Sequence, residues 1–370
     1  MKKTLLMLTN NAEEAPFLYS QLLDIYEGNK IFEEHYVFCG GTQKNILKGY
    51  AKVLNNGLGK PKGLSFVYYY IQIIRFLHSK KDTEITIHIR GFVSAILYYL
   101  IPKLGLRKIK YVYDPRGAFL IEKKESKNAK IIQWLKPIEK RIIANALFTI
   151  VTTKRFKSLF IKEYGFEHKY LVCYNSSSFK YKQVLKNTIL EVSELKLCYM
   201  GSVNYHHDLD EIYRLISYLV KLFNDKKIIL YFYTSKRHHN LVKQKLSNIP
   251  NLECIIDFIH YTKMEQALEK MDICISVVRP TKSTKIASPI KVSDYIMLNK
   301  IIILNKCIGD FDEFYIENNS ALLYEFEKDI DFTLNDILNL NPSKNRHLAE
   351  NYLNKNANKE KILTLLTKQL

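Results

Sequence analysis

The sequence predicts an α/β protein of two doubly wound halves facing each other across a cleft. Three observations carry that expectation. The chain has 370 residues, more than one compact core usually holds. Short, nearly continuous apolar runs alternate with amphipathic stretches, the pattern of a parallel sheet covered on both faces. The alternation lapses over the polar residues 175–194 and then restarts.

In the first half the strand-like runs are Thr4 to Thr9, Tyr36 to Cys39, Ile85 to Ile89, Ile109 to Tyr113, Leu147 to Val151 and Tyr170 to Cys173. Helical patterns separate them. The stretch from Asn175 to Glu194, with three serines and several lysines, reads as the linker. Runs at Leu195 to Met200, Lys227 to Tyr233, Leu252 to Ile256, Ile273 to Val277, Ile301 to Leu304 and Ala321 to Tyr324 then build the second half. The expected domains are residues 1–180 and 190–345, with 346–370 forming one or two polar helices. Ligands of open α/β sheets bind beyond the carboxyl ends of the strands, so chemistry is expected in the turns that follow strands.

Composition excludes several classes. With 47% apolar and 25% charged residues, and few Gly or Pro, the chain is an ordinary globular one. The net charge of +19 draws it to nucleic acid, phosphorylated substrates or acidic lipid; codon bias explains a Lys-rich chain equally well. Six widely spaced cysteines, without a C-x-x-C, read as buried thiols. Asn10, Asn11, Glu13 and Glu14 interrupt the apolar start too early for a signal peptide. Phe92 to Ile101 is too short to span a bilayer. A cytoplasmic protein is expected.

The most informative stretch runs from Ser288-Pro-Ile-Lys-Val-Ser-Asp294 to Lys300, followed by a strand and Ile308-Gly-Asp. Ser288 suits an N-cap and Pro289 the first helical position, so free N–H groups and the helix dipole would meet an anion such as a diphosphate. Lys291 opposes the dipole in that turn, which a bound anion would explain. Asp294 could offer its carboxylate to ribose hydroxyls. A plain capped amphipathic helix is the alternative. In the first half, Asp114 ends a strand with Arg116-Gly117 beyond it, and Arg90 ends the preceding strand. These suit sugar hydroxyls, or form a structural ion pair and a solvated cap. Gly201-Ser202 allows close approach to a phosphate or is a simple turn. Lys236, Arg237 and Arg279 follow strands and could neutralise a diphosphate, Arg279 being best placed. His206 and His207 read as surface residues before a helix. The basic, aromatic stretch Lys60 to Lys81 is either a membrane-surface helix or a core helix.

These segments, in this order, resemble the bacterial glycosyltransferases of family 4. Ser288 to Tyr295 is similar to that family's Ser-Pro-x-Lys-x-x-Glu-Tyr run, with Asp294 in place of Glu. Arg90 with Asp114-Pro-Arg-Gly117 resembles its first-domain pattern, and Leu197 to Ser202 the opening of its second domain. The resemblance implies a GT-B fold whose last helix packs on the first domain, and catalytic residues Arg90, Asp114 and Arg116. It implies a nucleotide-sugar site of Gly201, Ser202, Arg237, Arg279, Ser288, Lys291 and Asp294. It also implies metal-independent transfer, with retention, to a glycan or lipid-linked acceptor in surface polysaccharide synthesis. No cofactor and no nucleic acid are expected. Two departures stand out. Ile286 occupies the place of one of a pair of acids, and Asn10-Asn11-Ala12 replaces a glycine-rich turn. The rivals are a nucleotide-sugar epimerase, a basic nucleic-acid-binding protein and an inactive partner subunit.

Overall fold

A computed structural model describes residues 2–12, 24–40, 52–55, 62–101, 109–125, 129–183 and 192–370. Among them thirteen strands form two sheets. In the first, β1 (Lys3–Ala12), β2 (Glu34–Gly40), β3 (Lys52–Asn55), β4 (Glu84–Arg90), β5 (Lys110–Asp114), β6 (Thr149–Val151) and β7 (Tyr170–Val172) lie in the order β3-β2-β1-β4-β5-β6-β7. In the second, β8 (Glu194–Met200), β9 (Lys227–Tyr233), β10 (Leu252–Asp257), β11 (Ile273–Ser276), β12 (Ile301–Asn305) and β13 (Leu322–Tyr324) lie in the order β10-β9-β8-β11-β12-β13. All strand pairs are parallel. Each order reverses direction once, at β1/β4 and at β8/β11, and such a switch point opens a crevice beyond the carboxyl ends.

Burial explains the patterns. Every residue of β11 and β12 is buried, as befits central strands covered on both faces, whereas the edge strand β10 alternates between half-buried and exposed positions. The helix Leu209–Leu222 starts at Asp208, whose side chain accepts from the Asp210 and Glu211 N–H groups. It buries Ile212, Leu215, Ile216, Leu219 and Val220, the stripe that 3.6 residues per turn require. These side chains pack on Leu197, Tyr199, Phe232, Ile275 and Ile303 in the core of the second sheet.

The chain divides into two compact units. One comprises Met1–Tyr174 with Asn358–Leu370, the other Asn175–Ala357. Residues 175–183, which the composition reads as linker, therefore belong to the second unit. The Asn175 N–H donates to Ser288 Oγ at 3.0 Å and the Ser177 N–H to the Leu353 carbonyl at 2.9 Å. Polar residues without periodicity here satisfy hydrogen bonds rather than span a gap; the rest of the expected linker, 184–191, lies outside the described residues. Residues 346–357 also fall in the second unit. The helix Lys355–Gln369 carries Ile362 and Leu366, both fully buried, into the core of the first unit with Leu5, Met7, Val37, Val112 and Phe148. Burying each such side chain stabilises by about 1.5–3 kcal/mol.

Within Lys62–Ser79, Tyr69, Ile73, Phe76 and Leu77 are buried, so this is in large part a core helix; Lys60 and the Phe66 side chain lie outside the described residues. No described helix is long and apolar enough to cross a membrane. Of the cysteines, Cys307 corrects the expectation of burial: it is exposed in a left-handed turn (φ 70°) after β12. The side chains of Asn10, Asn11 and Ala12 lie outside the described residues.

Candidate functional site

In the first unit, strand periodicity and register assemble a charged cluster. Side chains two apart share a face of a strand, so His88 and Arg90 of β4 point the same way, and Arg90 lies in register with Asp114 of β5. Asp114 Oδ2 accepts from Arg116 Nε at 2.9 Å, His88 Nε2 at 3.2 Å and Arg90 Nη1 at 3.4 Å. Behind them Tyr26 Oη lies 2.7 Å from His88 Nδ1. Because Asp114 accepts at Nε2, the neutral imidazole carries its proton there and Tyr26 donates to Nδ1.

The electrostatics follow from this packing. Burial alone would raise the Asp114 carboxyl, but Arg116, the His88 hydrogen bond and Arg90 outweigh it and hold it well below the usual carboxylate range. Burial lowers His88, so it is neutral. Burial, then Arg116, bring Arg90 down to about 9 against the pull of Asp114. Asp114 is completely buried; its Oδ2 takes all three of these bonds, while its Oδ1 has no hydrogen-bond partner among the described residues. Arg116 is the most exposed of the three charged groups, at 17% of its side chain, and its backbone is left-handed (φ 64°). Such strain persists where neighbours over-determine it.

In the second unit the switch point lies at the ends of β8 and β11. Gly201 turns after β8 with φ 151°, its N–H donating to the Tyr233 carbonyl at 3.0 Å, and so not left for a phosphate. Ser202 Oγ accepts from Asn204 Nδ2 at 3.1 Å. Lys291 reaches this turn from the helix Ile290–Met297. Its side chain is buried, 6% of the residue being exposed; its Nζ makes no hydrogen bond among the described residues, and it stands 4.7 Å from the centroid of the Tyr199 ring. Burial pushes the ammonium down to about 7. A buried cation without a hydrogen-bond partner costs free energy that a bound anion would offset. A Cβ on Gly201 would lie 3.1 Å from Lys291 Nζ. Gly201→Ala is therefore expected to displace the ammonium and weaken binding of a nucleoside diphosphate about ten-fold, measured by calorimetry, while its positive φ costs stability on the order of 1 kcal/mol.

Several expected site residues act otherwise. Arg279 is held by Asp208 and by Glu327, the latter at 2.7 Å, and stacks over Tyr205 and Phe326. With two carboxylates beside it, it buttresses the turn before the helix rather than meeting a diphosphate. Ser288 does not cap the helix, which begins after Pro289; its Oγ serves Asn175 instead. Asp294 accepts from Ser177 Oγ at 2.5 Å and is almost wholly buried, so it fastens residues 175–179 rather than presenting a free carboxylate to ribose. Burial pushes it up to about 7, against the Ser177 hydrogen bond. Lys236 and Arg237 sit exposed in a short helical turn after β9, Arg237 Nε donating to His238 Nε2 at 3.0 Å. His207 is half-buried before the helix Leu209–Leu222: its Nδ1 donates to the Val277 carbonyl at 3.3 Å, and burial, then Lys291, bring it down to about 3.

Sequence reasoning assigned no role to His88, Tyr26, Tyr199 or Ser177. The period of two along β4 placed His88 beside Arg90 and was the available signal. Tyr26 and Ser177 lie 62 and 117 residues from their partners, with no local pattern to mark them.

Two parallel sheets in the same strand order, each with polar groups at its switch point, are the two Rossmann-like halves of the GT-B fold. Among solved structures, HepE from Anabaena in complex with UDP and glucose superposes with a TM-score of 0.72 at 12% identity, covering 99% of both chains. Sucrose-phosphate synthase from Thermosynechococcus elongatus gives 0.69 at 11% identity, also over 99% of both chains. The lipopolysaccharide outer core galactosyltransferase WaaB in its apo form gives 0.65 at 10% identity over the full length of both. No family model and no curated protein matches the sequence.

Proposed function

We propose that the chain is a glycosyltransferase that moves a sugar from a nucleoside diphosphate sugar to a glycan or lipid-linked acceptor. In this reading it serves surface polysaccharide synthesis, such as capsule or O-antigen, at the inner face of the cytoplasmic membrane. Transfer proceeds with retention at the anomeric carbon, and without metal or other cofactor. The observation that carries the reading is Lys291, a buried ammonium with no hydrogen-bond partner among the described residues, beside the Gly201 turn at a switch point. HepE, which binds UDP and glucose, and WaaB, a galactosyltransferase, share the fold and support it.

In this mechanism Lys291 Nζ and the N–H groups opening its helix hold the diphosphate. As the bond from the anomeric carbon to the leaving phosphate oxygen breaks, negative charge gathers on that oxygen. A preorganised ammonium in a water-poor site stabilises that charge more than the ground state. On the same face the leaving phosphate oxygen takes the acceptor's proton, so no enzyme base is required. Arg116, held by Asp114, meets the acceptor.

A thermal-shift and calorimetric screen of nucleoside diphosphates and their sugars tests the donor site. Saturation at a hundred times Kd is expected to stabilise the protein by about 2.7 kcal/mol. A folded protein silent across the panel would overturn the reading. Conversion of the donor into an isomeric nucleotide sugar, with no transfer to any acceptor, would favour an epimerase.

A further inference from the structure

We propose that the first unit docks on an anionic lipid bilayer through the face shared by the helices Lys62–Ser79, Phe92–Tyr99 and Ala129–Asn145, with Trp134 as its apolar anchor. This deepens the reading of a transferase acting on a lipid-linked acceptor and rests on it for its purpose. The face itself stands on separate observations.

Hydrogen bonds join the three helices edge to edge. Tyr70 Oη donates to the Leu100 carbonyl at 2.6 Å, and Arg141 Nη1 donates to Tyr99 Oη at 3.2 Å. Among the described residues of this unit, the exposed large apolar side chains are Val67, Ile71, Leu100 and Trp134, and all four belong to these helices or the residue that ends one. Trp134, the only tryptophan of the chain, is 81% exposed. A soluble surface gains nothing from an indole in water, whereas indole prefers the boundary between headgroups and acyl chains.

The charges on the same helices commit the face to an anionic partner. On Lys62–Ser79, Val67, Ile71 and Arg75 recur at intervals of four, a single exposed stripe that ends in a cation. Ala129–Asn145 exposes Lys140 and Arg141, and also Lys136, which Glu163 already pairs at 2.5 Å. The three helices contain one carboxylate, Glu139. It is turned inward, 1% exposed, accepting from Tyr113 Oη at 2.7 Å and Tyr164 Oη at 2.5 Å. Outward charge carried by these three helices is thus of one sign, and Arg75, Lys140 and Arg141 have no carboxylate partner in the ion pairs of the described residues. Apolar side chains between cations suit a bilayer surface, where both terms contribute; nucleic acid would engage the cations and leave Val67, Ile71 and Leu100 in water.

The full-length protein tests the proposal directly, because all tryptophan emission comes from Trp134. On vesicles of phosphatidylglycerol its emission should move to shorter wavelength and be quenched by brominated acyl chains, with no change on phosphatidylcholine. Arg75→Gln and Lys140→Gln should each weaken co-sedimentation about five-fold, and Trp134→Ser should weaken it further, while calorimetric binding of UDP-sugars stays unchanged. Co-sedimentation without quenching places the contact elsewhere and overturns the proposal. So does short-wavelength emission in buffer from a dimer, which would make the face an interface between copies, or an equal response to DNA. Donor binding without vesicle binding refutes this surface alone. Vesicle binding without donor binding refutes the transferase reading and leaves the surface standing.

Discussion

Replacing Lys291 by Met is expected to abolish nucleotide binding and, in the same protein, to raise the melting temperature of the ligand-free state. The two effects have one cause. The wild-type ammonium is buried against Tyr199 with no hydrogen-bond partner among the described residues, so the ring contact only partly compensates its lost hydration. Met fills similar volume without that penalty, and a gain of at least about 1 kcal/mol follows. The diphosphate then loses its charge-assisted partner in a site that excludes water, a loss of about 3 kcal/mol or some hundred-fold in Kd. The pH dependence has a definite sign. Since Lys291 titrates at about 7 when folded and at about 10.4 when unfolded, the unfolded chain binds the extra proton between those values. This term therefore makes wild-type stability rise with pH across that window, and the Met variant lacks the rise. Nucleotide binding moves the other way: a bound phosphate favours the charged amine, so affinity weakens above about pH 7. Differential scanning calorimetry across pH, with titration calorimetry, measures both. A variant less stable at pH 7 with unchanged affinity would show that Lys291 is a structural cation.

The fold was legible because periodicity reports burial. Every run read as a strand overlaps one, and Lys227 to Tyr233 matches β9 residue for residue. The strand that escaped, β3, has four residues and begins at Lys52, too short and too polar for alternation to register. The site was legible only in position. Following strands to their ends located Arg90, Asp114 and Gly201, because a parallel sheet presents its turns at one edge, and the start of the Ser288 helix drew attention to Lys291. What each residue does depends on partners that sequence spacing does not encode. Arg279 meets Glu327 and Asp208, 48 and 71 residues away, so the best-placed cation was already neutralised. Asp294 meets Ser177 across 117 residues, and so fastens a segment that the composition read as a tether. Lys291 differs because its neighbours are Tyr199 and Gly201, which offer it no carboxylate. The residue that contradicted the helix dipole is the buried cation without a hydrogen-bond partner among the described residues.

Asp114→Asn is expected to cost about 3–5 kcal/mol, because it removes the buried carboxylate that Arg90, 3% exposed, and Arg116 share. The loss should vary with pH in a way that a packing defect would not. Asp114 is held below the usual carboxylate range when folded. Its contribution is complete above the unfolded value of about 3.9 and fades as pH falls towards the folded one. The difference in melting temperature between wild type and variant should therefore be full at neutral pH and narrow below about pH 4. His88 adds a separate step in both proteins. Its folded pKa is lowered by burial from 6.5, so unfolding takes up a proton below that value and stability declines as pH drops through it. His88→Gln removes this step and keeps a donor for Asp114, so it should be more stable than Asp114→Asn. Without the imidazole behind the carboxylate, Arg116 should lose its fixed position. Acceptor KM then rises while donor Kd, which depends on Lys291 in the other unit, stays unchanged. Equal losses of donor and acceptor binding in His88→Gln would mean that the Tyr26–His88–Asp114 chain supports the fold alone.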